Sequence, residues 1–127
     1  MHIRIKRIYE AAEPSDGCRI LVDRLWPRGI SKDRAKLVYW AKEVSPSNEL
    51  RKWYQHDADR WHEFKRRYFD EIRSKPETRE LFQHCADHAV VTFLFSSKEM
   101  NLNNAAALKE YVERALLNHK GSQHGIR

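Results

Sequence analysis

Ala89-Val90-Val91-Thr92-Phe93-Leu94-Phe95 decides the fold. The run is apolar almost throughout, with no alternation between apolar and polar positions. It ends at Ser96-Ser97, and β-branched and aromatic residues dominate it. That length and composition read as a strand buried on both faces, the environment of a parallel sheet. Arg19-Ile20-Leu21-Val22-Asp23 reads the same way, between Pro14-Ser15-Asp16-Gly17 and Trp26-Pro27-Arg28-Gly29, both turn signals. Ile3, Ile5 and Ile8 mark a first strand, with Arg4 and Lys6 alternating to the solvent side. Leu37-Val38-Tyr39-Trp40 suggests another strand, broken by Ser45-Pro46-Ser47.

Helical periods fill the space between these strands. Ser31 is placed to cap a short turn through Ala35, and Ser47 a helix carrying Leu50, Trp53 and Tyr54. Asp57 precedes Trp61, Phe64, Tyr68 and Ile72, which share one helix face. Pro76 suits the first turn of a helix holding Leu81, Phe82 and Cys85. Asn103 or Asn104 caps a last helix with Leu108, Val112, Ala115 and Leu116 inward, and Gly121 is its expected stop. Strands separated by helices predict an α/β layered domain with a small, mostly parallel sheet flanked by helices. Residues 1–120 are read as that one domain and 121–127 as a frayed tail.

Composition agrees with this reading. A chain of 127 residues, 41% hydrophobic and 33% charged, has the size of one ordinary domain. No apolar stretch approaches the ~20 residues of a membrane helix, and Met1–Arg7 has no apolar signal core. Two cysteines are too few for a disulfide framework, which points to a reducing, cytoplasmic setting. Lys and Arg exceed Asp and Glu by six, and the excess is uneven. Residues 1–36 carry nine basic and five acidic groups, whereas residues 76–119 carry four and six. The basic half can attract phosphate or nucleic acid, though no run of five or six like charges marks a nucleic-acid tail.

In parallel sheets, ligands bind beyond the carboxyl ends of the strands. That rule selects two loops, 23–29 and 96–104. The first concentrates Asp23, Arg24, Trp26 and Arg28. Arg24 and Arg28 present planar donor forks suited to phosphate or carboxylate, and Trp26 a flat stacking surface. Gly29 admits backbone N–H groups to an anion. Asp23 can orient an arginine or act as a base. The alternative is a salt-bridged corner, with Asp23 paired to an arginine and Trp26 in the core. The second loop offers Ser96, Ser97 and the pair Asn103-Asn104 at a helix start. No Gly-x-Ser-x-Gly surrounds Ser96, so a serine nucleophile is not supported. His56 beside Asp57 has the composition of a proton-transfer pair, or of a helix cap. His84 and His88 lack the further ligands of a zinc site. No G-x-G-x-x-G and no G-K-[ST] occurs, so no dinucleotide, metal or other cofactor is implied.

The string Asp16-Gly17-Cys18-Arg19-Ile20-Leu21-Val22-Asp23-Arg24-Leu25-Trp26-Pro27-Arg28-Gly29 resembles the signature of the DUF488 family, YeaO-like branch. The likeness continues through Trp40, Ser45-Pro46-Ser47, Leu50-Arg51-Lys52-Trp53, His56-Asp57, Trp61, Phe64 and Tyr68, into Ala105, Leu108 and Lys109. It implies a small single-domain protein of bacteria or archaea and brings no established activity. In the family pattern an Asn-His-Ala segment opens the last helix; here it is Asn103-Asn104-Ala105. Asn104 can hydrogen-bond like a neutral imidazole but cannot titrate near neutral pH.

The leading expectation is therefore an anion-binding pocket for a phosphorylated, nucleotide-like ligand. Asp23, Arg24, Trp26 and Arg28 form one wall; Arg51, His56 and Asn103 or Asn104 form another. In a catalytic version Asp23 or His56 handles a proton. The second expectation is a non-catalytic module binding nucleic acid or protein through the basic N-terminal half. In so small a chain the site is built from loops of one sheet, or shared with a second copy.

Overall fold

Four strands, β1 (His2–Arg7), β2 (Cys18–Leu21), β3 (Tyr39–Trp40) and β4 (Val90–Phe95), form one sheet in the order β1-β4-β2-β3. Every neighbouring pair is parallel. The computed structural model describes residues 1–126, with side chains from 1 to 117. The expected α/β class is what forms, and the run that decided it, β4, sits inside the sheet between β1 and β2. Its unbroken apolar character follows from that position, because both of its faces are covered.

Among the described residues five helices accompany the strands: α1 (Lys32–Ala35), α2 (Asn48–Tyr54), α3 (Trp61–Ile72), α4 (Pro76–Ala86) and α5 (Asn104–Ile126), the last following β4. Ser31 and Ser47 cap α1 and α2 through their hydroxyls, as their positions predicted. Asp57 caps a short 3₁₀ turn, Ala58–Arg60, that leads into α3. Pro76 occupies the first turn of α4. Asn103 Oδ1 accepts the Ala106 N–H, so Asn103 is the cap of α5 and Asn104 its first residue. The helix continues past Gly121, where a stop was expected. The frayed tail expected at 121–127 falls on side chains outside the described residues.

The two sheet faces differ. One carries Ile3, Cys18, Ile20, Val91, Phe93 and Phe95 against Leu50, Tyr54, Phe64, Tyr68, Ile72, Leu81, Leu108 and Val112 of α2–α5. Each such side chain, fully buried, contributes about 1.5–3 kcal/mol. The other face holds a smaller cluster, Ile8, Leu21, Ile30, Ala35 and Leu94, with Trp26 and Trp40 packed against it.

The same second face also buries charge, contrary to the outward placement expected for Lys6. Asp16, read from sequence as a turn residue, is fully buried beneath it. Lys6 Nζ donates to Asp16 Oδ1 at 3.0 Å and Arg19 Nη1 to Asp16 Oδ2 at 2.6 Å. The Glu13 N–H donates to the same carboxylate. Burial alone would raise the Asp16 carboxyl, but the Glu13 N–H and the two cations outweigh it and hold the group below its ordinary value. The chain from 9 to 17 folds back over β1 and covers Lys6, which is why simple alternation misassigned it. Gly17 makes this close approach possible. Its φ is +64°, and a Cβ there would lie 2.3 Å from the Val90 carbonyl oxygen.

Candidate functional site

All four strands run the same way, so their carboxyl ends share one edge, and the loops that follow them meet there. They enclose a groove of about 1150 Å³. Arg7 and Tyr9 come from the end of β1, and residues 23–28 from the loop after β2. Pro46 and Asn48 follow β3, and residues 96–99 follow β4. Arg51, Lys52 and His56 on and after α2 complete the rim, and Asn104 opens the far side.

Asp23 is held from two directions by neutral donors. The Ser96 N–H and hydroxyl donate to Oδ2 at 2.8 and 2.7 Å, and Asn104 Nδ2 donates to Oδ1 at 3.0 Å. Asn104 Nδ2 also donates to the Val22 carbonyl at 2.8 Å. Both of its partners accept, so the amide orientation is fixed by chemistry. The Asp23 carbonyl in turn accepts the Trp40 indole N–H at 2.7 Å. Asp23 therefore joins the ends of β2 and β4 to the first residue of α5. No arginine pairs with it among the described residues, so the salt-bridged corner does not form.

Arg24 spans to the loop after β3. Its Nε and Nη2 donate to the Pro46 and Ser45 carbonyls at 3.2 and 3.1 Å. Arg7 is fixed in the same manner, donating to the Ser97 and Ser96 carbonyls at 2.9 and 3.0 Å. Carbonyl oxygens orient a guanidinium without cancelling its charge. Trp26 donates to the Ile30 carbonyl at 2.6 Å and meets Trp40 edge-on, so one part of the ring packs inward while another lines the groove. Arg28 is exposed; its backbone carbonyl accepts the Tyr9 hydroxyl, while its guanidinium has no partner among the described residues.

The Arg51 guanidinium donates to Asn48 Oδ1 on its own helix. His56 is exposed, with φ +55°, directly after Gln55 at φ +48°. Two successive non-glycine residues in the left-handed region are uncommon, and the second of them, His56, lines the groove.

Six groove cations, Arg7, Arg24, Arg28, Arg51, Lys52 and Lys98, have no carboxylate partner among the described residues. Only two carboxylates, Asp23 and Glu99, line the same space. The exposed faces of α3 and α5 behave differently. There Arg66 and Arg67 share Glu63, Arg73 pairs with Asp70, and Lys65 and Arg114 pair with Glu110. The two guanidiniums bring the Glu63 carboxyl down to about 2. Basic residues are thus matched along α3, at Lys65, Arg66 and Arg67, and unmatched in the groove.

Asp23, Arg24, Trp26, Arg28, Arg51, His56 and Asn104, all singled out in sequence, line this one groove. Asn103 does not; it is fully buried, its amide donating to the Glu99 carbonyl while it caps α5. Arg7, Tyr9, Lys52 and Lys98 were missed. The strand-end rule that selected residues 23–29 applies equally to Arg7, the last residue of β1. Among the described residues no group of His, Cys, Asp and Glu is arranged to hold a metal ion. His88 Nδ1 lies 2.8 Å from the His84 carbonyl at the end of α4, a helix-terminal role. No described helix is long and apolar enough to cross a membrane.

The family model described as the inactive DUF488-N3 subclade matches residues 2–125. The chain belongs to the DUF488 family. The Escherichia coli protein YeaO is 39% identical over 112 residues, spanning 88% of this chain and 97% of YeaO. The Mycobacterium tuberculosis protein Rv3073c is 40% identical over 108 residues, spanning 85% and 91%. Neither name states an activity. No solved structure matches the chain significantly. In this DUF488 chain Asn104 supplies the amide that meets Asp23. An amide there donates two N–H groups and transfers no proton near neutral pH.

Proposed function

We propose that this DUF488 protein binds a phosphorylated ligand in the groove beyond the strand ends and does not turn it over. The observation that carries this reading is the set of six cations without carboxylate partners lining one concave site. Arg7 and Arg24, pinned by backbone carbonyls, supply fixed positive charge. Arg28, Arg51, Lys52 and Lys98 are free to close on phosphate oxygens.

The description of the subclade as inactive supports the non-catalytic side of the reading. So does the chemistry at Asp23. A general base needs an accessible lone pair and a proton to take. Asp23 has three of its roughly four acceptor sites taken by Ser96 and Asn104, and in this reading its contribution is to fix the loop that carries Arg24, Trp26 and Arg28. His56 stands at the rim as a further donor to an anion.

Calorimetric titration with inorganic pyrophosphate and with ATP tests the reading. Saturable binding is expected, weakened about 10-fold by Arg28→Ala, each charge-assisted contact being worth roughly 1.5 kcal/mol. Binding unaffected by Arg28→Ala and by Arg51→Ala would place the ligand elsewhere. Phosphate release or hydrolysis above background would overturn the non-catalytic part.

A further inference from the structure

We infer that the occupant of the groove is a single-stranded oligonucleotide. The inference rests on the anion-binding reading and names its ligand.

Three observations support it. First, the groove's volume of about 1150 Å³ exceeds the roughly 300–1000 Å³ typical of a single small-molecule site. Second, six cations face two carboxylates, and they sit on separate walls: Arg7 and Lys98 at the ends of β1 and β4, Arg51 and Lys52 on α2. Cations contributed by separate elements can each meet a different phosphate of a chain. Third, the groove also offers rings and an apolar lip. Tyr9 and Trp26 are half-buried and line it, Tyr9 with the Arg7 guanidinium over its ring at 4.9 Å, and Leu25 is 64% exposed. A bare polyphosphate has nothing to place on these surfaces. A duplex keeps its bases stacked on one another and uses only the cations. A single strand uses both, its backbone following the charge while unstacked bases lie on aromatic rings.

The test compares ligands on the intact protein by fluorescence anisotropy. The probe is a labelled oligothymidylate of about a dozen nucleotides. The competitors are a duplex of the same length, inorganic polyphosphate of matched charge, and ATP. The single strand is expected to bind about ten-fold tighter than polyphosphate or duplex. The salt slope expected is about −3 to −4, for four to six phosphates at roughly −0.7 each. Tyr9→Leu should bring the oligonucleotide down to the affinity of polyphosphate while leaving polyphosphate binding itself unchanged, although Tyr9 also touches Arg7 and the Arg28 carbonyl, with circular dichroism reporting an intact fold. If Tyr9→Leu unfolds, the polyphosphate comparison on the unaltered protein decides alone.

Polyphosphate or duplex binding as tightly as the single strand overturns the inference and leaves the anion-binding reading standing. ATP binding as tightly as the oligonucleotide does the same, and makes one nucleotide the ligand. Failure of every anion to bind overturns both.

Discussion

Two aspartates flank β2, and the molecule treats them in opposite ways. Asp16, two residues before the strand, is sealed under the sheet and neutralised by Lys6 and Arg19. Asp23, two residues after it, opens on the groove and is held by a backbone N–H, a hydroxyl and an amide. At the first end cations are consumed to satisfy a carboxylate. At the second the carboxylate is satisfied by neutral donors, and the cations around it stay uncommitted. Charge in this protein is structural where it is paired across a buried contact and available where neutral groups do the holding.

The largest break in this comparison is Asp16→Ala. It leaves two buried cations facing each other without their shared anion, and about 3–5 kcal/mol of stability should be lost in denaturant unfolding. The same site has a pH signature. The folded carboxyl lies below its ordinary value of 3.8, so its contribution is complete above that value. It is lost as pH falls through the lower folded value. The gap in stability between the unaltered protein and Asp16→Asn should therefore narrow on acidification below about pH 4. A constant gap from pH 7 to pH 2 would show that the carboxyl is not held down.

Asp23→Asn is the sharper contrast. It weakens the contacts to Ser96 and Asn104 and should cost roughly 1–3 kcal/mol. It also removes a negative charge from a cationic groove, so pyrophosphate should bind a few-fold tighter even as the melting temperature falls. Weaker binding would mean that the carboxylate positions the anion site more than it repels the anion.

The arginines give the smallest effects on folding. Arg24→Ala removes two bonds to the loop after β3 and should cost about 1 kcal/mol. Arg28→Ala, exposed and unpaired, should stay within about 0.5 kcal/mol. Equal losses from the two would contradict the division between the pinned and the free guanidinium.

Much of this was legible in the residues. The unalternating run of β4 and the short run of β2 identified a parallel sheet, because only strands covered on both faces lack alternation. The strand-end rule then led to Asp23, Arg24, Trp26 and Arg28, and a parallel sheet necessarily brings the other loops to the same edge. What could not be read were pairings across the sheet. Nothing local in Lys6 or Asp16 tells that the segment from 9 to 17 folds over β1. Nor does local sequence show that Asp23 would be met by Ser96 and Asn104, over seventy residues away. Asn103 and Asn104 were indistinguishable as candidates until the helix start was fixed, since one residue of offset exchanges the cap for the group that reaches Asp23.

The position of β4 also governs how the chain can be made. It is the last of the four described strands to be synthesised and lies between β1 and β2, which do not pair with each other. Before Val90 emerges from the ribosome, the β2–β3 ladder, with only two register pairs, is all the sheet that can exist. The first two-thirds of the chain must then wait, with apolar strands unpartnered, for one segment that zips both halves together. Long-range closure of this kind is slow and exposes the intermediate to aggregation. A ribosome stalled with β4 still in its exit tunnel would hold a chain unable to complete the sheet, whereas emergence of Phe95 would let all four strands pair.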